Sequence, residues 1–194
     1  MRCGLTTSTM GVLPTIAMGV KSPLNAYASF ATGANEISPL DMASGAQTLA
    51  NRGLHHDPYY IDKIVRTSTG DVIYEHRDPG VQVMPPEIAD RVSSILQGVL
   101  TRGTAARIGW LSGGKRPAAG KTGTQDNNTN AWFVGFTKQL ATAVWVGDPK
   151  GYTPMVRIPE FVKDGVDRVQ GATYPARIWK QYMDDAHKGL DVLD

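Results

Sequence analysis

The residues best suited to chemistry are Lys121-Thr122-Gly123-Thr124. Side chains alternate along an extended strand, so Thr122 and Thr124 would share one side. Two hydroxyls on one side can bind a carboxylate together. Gly123 has no side chain and lets another backbone approach closely. Lys121 adds a mobile positive charge for the carboxylate or for proton movement. Taken alone, Lys-Thr-Gly is most simply a solvent-exposed turn, but the context reverses that reading. Small residues, Pro117-Ala118-Ala119-Gly120, lead in as a closely packed strand requires, and a polar loop over 125–130 follows.

The elements that must position this tetrapeptide are legible on both sides of it. Residues 118–124 read as a short strand, and 131–137 and 140–147 are rich in aromatic and β-branched residues. A tight turn near Lys138-Gln139 would pair the last two as a hairpin. Upstream, Ser38-Pro39-Leu40-Asp41 is a helix start, with Ser as cap, Pro first in the helix and Asp at the positive end of its dipole. That helix should run to about Asn51 with Gly53 as stop, and its small apolar residues suit close packing. Residues 59–66 and 71–76 predict a hairpin around Ser68-Thr69-Gly70. Pro85-Pro86 opens a helix with Ile88, Val92, Ile95, Leu96, Val99 and Leu100 in one apolar stripe, ended by Gly103. Residues 104–107 predict a further helical turn, 109–114 a loop, and 148–171 an irregular stretch. A last helix begins at Thr173-Tyr174-Pro175, with Ile178, Tyr182, Met183 and Ala186 expected on its packed face.

The composition sets limits. The chain has 194 residues, 41% hydrophobic and 20% charged, enough for one domain with a real core. A net charge of +2 with scattered basic residues gives no reason to expect a nucleic-acid partner. Cys3 is the single cysteine, so no internal disulfide can form, and it has no base in view. No apolar run reaches membrane-spanning length. The first residues, 1–20, are interrupted by Pro14 and by Ser and Thr, and do not read as an export signal. His55-His56-Asp57 reads as a surface loop rather than a metal site, and no metal or organic cofactor is expected. Glu160 and Asp164 are expected to face water, and Trp132, Trp145 and Trp179 to belong to the core.

Residues 117–124, with Asn130-Ala131-Trp132-Phe133-Val134-Gly135-Phe136-Thr137 and Ala141-Thr142-Ala143-Val144-Trp145-Val146-Gly147, resemble the third active-site element of the penicillin-binding transpeptidases and the two strands after it. Glu36-Ile37-Ser38-Pro39-Leu40-Asp41-Met42-Ala43 and Leu49-Ala50-Asn51-Arg52-Gly53 resemble the segment that precedes this element in bifunctional class A members. So do Ile61-Asp62-Lys63-Ile64, Thr69-Gly70-Asp71-Val72-Ile73, Gly98-Val99-Leu100 and Arg102-Gly103-Thr104-Ala105. The segment from Gly171 to Trp179 is similar to the family's final helix. The resemblance covers roughly residues 20–186 and is closest to actinobacterial members. It implies an α+β fold: a partial penicilloyl-serine-transferase (β-lactamase/transpeptidase-like) fold whose antiparallel strands are packed by helices. It also implies a single partial transpeptidase domain over 1–194. Within it would fall an atypical start (1–20), a helical region with a small hairpin (36–116), the active-site strand and following hairpin (117–147) and a C-terminal helix (172–188).

By the same resemblance, Lys121, Thr122, Gly123 and Thr124 would bind the substrate carboxylate. Lys121 and Thr124 would also take part in catalysis, with the Thr124 N–H as one oxyanion donor. The substrate would be a peptidoglycan stem peptide ending in D-Ala-D-Ala, cross-linked by serine acyl transfer, and β-lactams would acylate the same serine. The family's working place is outside the cytoplasmic membrane, on the cell-wall face.

The departures concern the nucleophile. The literal Ser-x-x-Lys match is Ser112-Gly113-Gly114-Lys115, where two glycines and nearby Pro117 oppose a helix. It also lies after the helical region, where the family has no nucleophile. No Ser-x-Asn occurs in the sequence. The expectation is therefore a chain lacking the family's first strands and nucleophile helix, and inactive by itself. Three readings compete: a truncated gene or mis-called start of a full enzyme, which is favoured; a binding module that keeps carboxylate or penicillin recognition; and a vestigial interaction fragment. Missing strands would leave an apolar face and a sheet edge bare, with self-association as a consequence to test.

Overall fold

The computed structural model describes residues 14–193, so Cys3 and most of the 1–20 start lie outside the described residues. Helix α1, Pro39–Ala50, begins as its sequence requires: Ser38 Oγ accepts the Asp41 N–H at 3.1 Å, and Pro39 opens the helix. Burial pushes the Asp41 carboxyl up, but hydrogen bonds from the Ser22 hydroxyl and N–H and from Ser38 outweigh it and hold the group below the ordinary 3.8. The buried positions of α1 are small: Ala46 packs on the main sheet, while Ser44, Gly45 and Thr48 face residues 18–20 and His55.

Two short antiparallel pairs follow: β1 (Leu54–His55) with β4 (Val81–Gln82), and β2 (Lys63–Val65) with β3 (Val72–Glu75). The β2–β3 hairpin sits where the turn residues place it. Its regular ladder is shorter than the expected 59–66 and 71–76, although beyond it Asp62 O still accepts the His76 N–H at 2.7 Å and Tyr59 stacks on His76. It is exposed along both strands. Helix α2, Pro86–Thr101, carries the expected stripe, but only Ala89 and Leu100 are buried along it. Ile95 is 74% exposed. A short 3-10 turn, Ala106–Ile108, stands where another helical turn was expected.

The main sheet is three-stranded and antiparallel, in the order β5 (Ala119–Thr124), β6 (Asn130–Phe136), β7 (Ala141–Gly147). The β6–β7 turn forms at Lys138-Gln139 as expected, with the Thr137 N–H bonded to Leu140 O at 2.9 Å. Thr137 Oγ1 also accepts the N–H groups of Gln139 and Leu140, and neither Lys138 nor Gln139 has a positive φ, so the turn needs no glycine. Opposed residues share a face in such a ladder. One face therefore carries Ala119, Lys121, Gly123, Trp132, Val134 and Phe136. The other carries Gly120, Thr122, Thr124, Ala131, Phe133 and Gly135.

Each face is covered at its own place. Ala46 of α1 packs with Ala119 and Phe136, joined by Leu96 of α2. On the second face the last helix, α4 (Tyr174–Ala186), brings Trp179 onto Phe133 with ring centroids 4.9 Å apart, and Trp179 Nε1 donates to Gly135 O at 3.2 Å. Glycine at 135 is required there, since a Cβ would lie 2.6 Å from Trp179 Cζ2. Truncating either ring to alanine would cost roughly 3–5 kcal/mol.

Two sequence expectations are corrected. The packed face of α4 is Pro175, Ala176, Trp179 and Met183, whereas Ile178 and Tyr182 are 48% and 55% exposed. Trp179 dominates because it alone fills the space above Gly135. Residues 148–171 are not merely irregular: they hold a short helix, α3 (Pro159–Lys163), and a small core in which Met155, Val166 and Val169 pack under Ala131. These apolar residues are too widely spaced in sequence to show a period.

Candidate active site

Strand β5 forms one edge of the main sheet and pairs only with β6 among the described residues. The four singled-out residues lie at its end: Lys121 and Thr124 exposed, Thr122 and Gly123 half-buried. The two threonines share a face, as alternation requires, and Lys121 and Gly123 occupy the opposite one. A single ligand can touch both sets only along the strand's outer edge. Lys121 bends toward its own strand and Nζ donates to the Thr122 carbonyl at 2.8 Å.

Neither threonine hydroxyl is isolated. Thr122 Oγ1 lies 2.8 Å from Thr104 Oγ1, and Thr124 Oγ1 accepts the Gly171 N–H at 3.0 Å. Gly171 is buried against the sheet so closely that a Cβ would stand 2.3 Å from Trp132 O and 2.7 Å from Gly123 O. Thr104 and Gly171 carried no expected role, although both lie in segments whose resemblance was recognisable. Their partnership with β5 spans 18 and 47 residues of chain, and no local pattern encodes it.

The loop after the strand is pinned from β6 and β7. Asn130 Nδ2 donates to the Gln125 side chain, Trp145 Nε1 donates to Asn130 Oδ1 at 2.8 Å, and Gln125 N bonds Asn130 O at 2.9 Å. Trp132 and Trp145 are thus half-buried neighbours of the site, their rings 6.4 Å apart, rather than full core residues. Of the three tryptophans expected in the core, Trp179 alone is wholly buried.

The other sequence candidates separate from this site. Ser112 lies in a 3-10 turn with φ 49°, followed by Gly113 at φ 65°, so Ser112 and Lys115 do not share an α-helical face. Its N–H is held by Asp184 Oδ1 at 2.8 Å. His55 stands in β1 rather than a loop; its Nδ1 meets Thr48 Oγ1 at 2.9 Å and its Nε2 meets Asp57 at 3.3 Å. No group of three metal-ligating side chains occurs among the described residues. Glu160 and Asp164 are exposed as expected, and Asp164 accepts the Tyr174 hydroxyl at 2.9 Å. Two open hollows lie away from β5: one of about 340 Å³ beside Ile108 and Lys180, one of about 510 Å³ beside Val20, Lys21 and His55.

Comparison with known proteins decides the family. The profile described as penicillin binding protein transpeptidase domain matches residues 2–158, which include β5 and its hairpin. The chain belongs to this family. Penicillin-binding protein 1A of Mycolicibacterium smegmatis is 38% identical over 164 residues, covering 79% of this chain and 19% of that protein. Penicillin-binding protein 1A of Mycobacterium tuberculosis is 33% identical over 197 residues, covering 97% of this chain and 22% of that protein. The penicillin-binding protein PonA1 of M. tuberculosis, a solved structure, superposes with a TM-score of 0.77 at 31% identity, over 93% of this chain and 50% of that one. PonA1 in complex with penicillin V superposes equally well, with a TM-score of 0.77 at 30% identity. The fold is therefore that of part of a penicillin-binding transpeptidase, α+β as expected, and the class A, actinobacterial resemblance stands. The chain spans about a fifth of the length of these curated relatives. No helix among the described residues is long and apolar enough to cross a membrane.

Proposed function

We propose that this chain is the part of a peptidoglycan D,D-transpeptidase that holds the substrate's terminal carboxylate and supplies half of the oxyanion hole. In that reaction a serine oxygen attacks the carbonyl between two D-alanines. The carbonyl oxygen takes the negative charge, the terminal D-alanine leaves, and the acyl group passes to a neighbouring amine. The attacking serine is not among these 194 residues on this reading, since the one Ser-x-x-Lys lies in a turn bent by Ser112 and Gly113. The chain by itself is then without acylating activity, while β-lactams and stem peptides are ligands of the complete site, outside the cytoplasmic membrane.

The observation that carries the reading is the edge of β5 that no strand covers among the described residues, with Lys121 and Thr124 exposed beside it, in a chain of this family. Residues two apart in a strand present their backbone groups to the same edge. Lys121 Nζ reaches the Thr122 carbonyl, which supports an outward direction for the Thr124 N–H as well. A peptide lying along that edge would meet two hydroxyls on one side, an ammonium on the other and an N–H between. That donor set suits a carboxylate and a developing oxyanion.

The test is calorimetric titration of the chain with diacetyl-L-lysyl-D-alanyl-D-alanine, set against Lys121→Ala and Thr124→Val. Loss of one hydrogen bond to a charged group costs roughly 1.5–3 kcal/mol, so each variant should bind at least about tenfold more weakly. Equal binding by the wild type and both variants refutes the assignment. A non-catalytic carboxylate-binding module is the second reading, favoured by the lack of a helical Ser-x-x-Lys, and it shares this outcome. The two part when an upstream Ser-x-x-Lys and Ser-x-Asn segment is supplied: only the transpeptidase reading expects penicillin acylation to appear.

A further inference from the structure

We infer that Thr104 is a positioning residue for the carboxylate-binding hydroxyls, acting through Thr122; the inference rests on the reading of β5 above. Thr104 follows α2 on a backbone held at both sides. Gly103 N bonds Gly98 O at 2.8 Å, and Ala105 N bonds Val99 O at 3.1 Å. A Cβ at Gly103 would stand 2.8 Å from Val99 Cα, so only glycine lets the chain fold back this tightly. Ala105 is fully buried in the cluster of Leu100, Phe133 and Trp179. The exposed Thr104 between them is thereby aimed at β5, with its hydroxyl 2.8 Å from that of Thr122.

A hydroxyl has one proton to donate and two lone pairs to accept with. When Thr104 donates to Thr122, the Thr122 proton is free to point at a ligand. A carboxylate can only accept, so its arrival selects this orientation. The Gly171 N–H does the same for Thr124 by occupying a lone pair of its oxygen. Both hydroxyls then stand as donors toward one anion, each polarised from behind by a group outside the strand. A neutral amide at the peptide terminus, which also carries protons, gains less from two donors.

The test compares diacetyl-L-lysyl-D-alanyl-D-alanine with its C-terminal amide by NMR titration of the 194-residue chain, following the Thr124 and Gly171 amides. The wild type should prefer the acid. Thr104→Val should lose about five- to tenfold in acid affinity, the size of one hydrogen bond, with amide affinity unchanged. Thr104→Ser should restore the preference, which a purely structural role for the methyl would not do. If Thr104→Val perturbs the spectrum broadly, Thr104→Ala against Thr104→Ser makes the same comparison. A folded Thr104→Val or Thr104→Ala that keeps the full wild-type preference overturns the inference and leaves the β5 reading standing. A wild type that does not distinguish acid from amide overturns both.

Discussion

Gly171→Ala should be the most damaging methyl addition near the site. The new Cβ would lie 2.3 Å from Trp132 O, 2.7 Å from Gly123 O and 2.8 Å from Gly123 N. All three are backbone atoms of a hydrogen-bonded ladder and cannot swing away. Carbon contacts relax only near about 3.5 Å, so the loop before α4 must lift by roughly 1 Å. That movement breaks the 3.0 Å bond from Gly171 N to Thr124 Oγ1. Overpacking of this kind costs roughly 1–3 kcal/mol and the lost hydrogen bond about 0.5–1.5 kcal/mol, together about 2–4 kcal/mol. For a chain of this size that is a fall in Tm of roughly 5–15 °C. Gly151 is the control: a Cβ there meets nothing within 4 Å and its φ is not left-handed. Gly151→Ala should melt at the wild-type temperature or slightly above. Thermal unfolding followed by circular dichroism reads both. Equal melting of the two variants would refute the close seating of residue 171 on β5 and, with it, the orientation of Thr124.

Two more outcomes follow from the same geometry. Asp41 and Asp184 both titrate below the ordinary 3.8: burial pushes each up, but hydrogen bonds from Ser22 to Asp41 and from Lys180 and the Ser112 N–H to Asp184 prevail. A depressed carboxyl contributes stability that is fully present above its unfolded value and lost as pH falls through the folded one. Urea midpoints should therefore hold from neutral pH down to about 4 and fall below it, and Asp41→Asn should flatten the drop; an unchanged acid limb in that variant contradicts the role of Asp41. Penicillin V should leave the intact mass of the chain unchanged, and an adduct mapped to Ser112 would overturn the reading of 112–115 as an inert turn.

Local chemistry carried much of the fold into the sequence. Ser38-Pro39-x-Asp41 set the start of α1, Ser68-Thr69-Gly70 set a hairpin, and the tetrapeptide at 121–124 stood out because its flanks were so small. What the sequence did not disclose is where contacts between distant segments decide the outcome. Trp179 turned α4 away from the Ile178–Tyr182 face because Gly135 left room for an indole. Thr104 and Gly171 joined the site across long stretches of chain. The stripe on α2 is apolar as its spacing predicts, yet Ile95 stays exposed, as do Val72, Ile73 and Tyr74 of β3. Periodicity reports which face is apolar and is silent on what covers it.

The decisive measurement is a crystal structure of the chain with a bound peptide ending in D-Ala-D-Ala. The terminal carboxylate should lie along the outer edge of β5, about 2.7–3.2 Å from the hydroxyls of both Thr122 and Thr124, with the Lys121 ammonium turned toward it. A peptide seated instead in the hollow beside Val20 and His55, with β5 unoccupied at saturating ligand, would contradict the assignment.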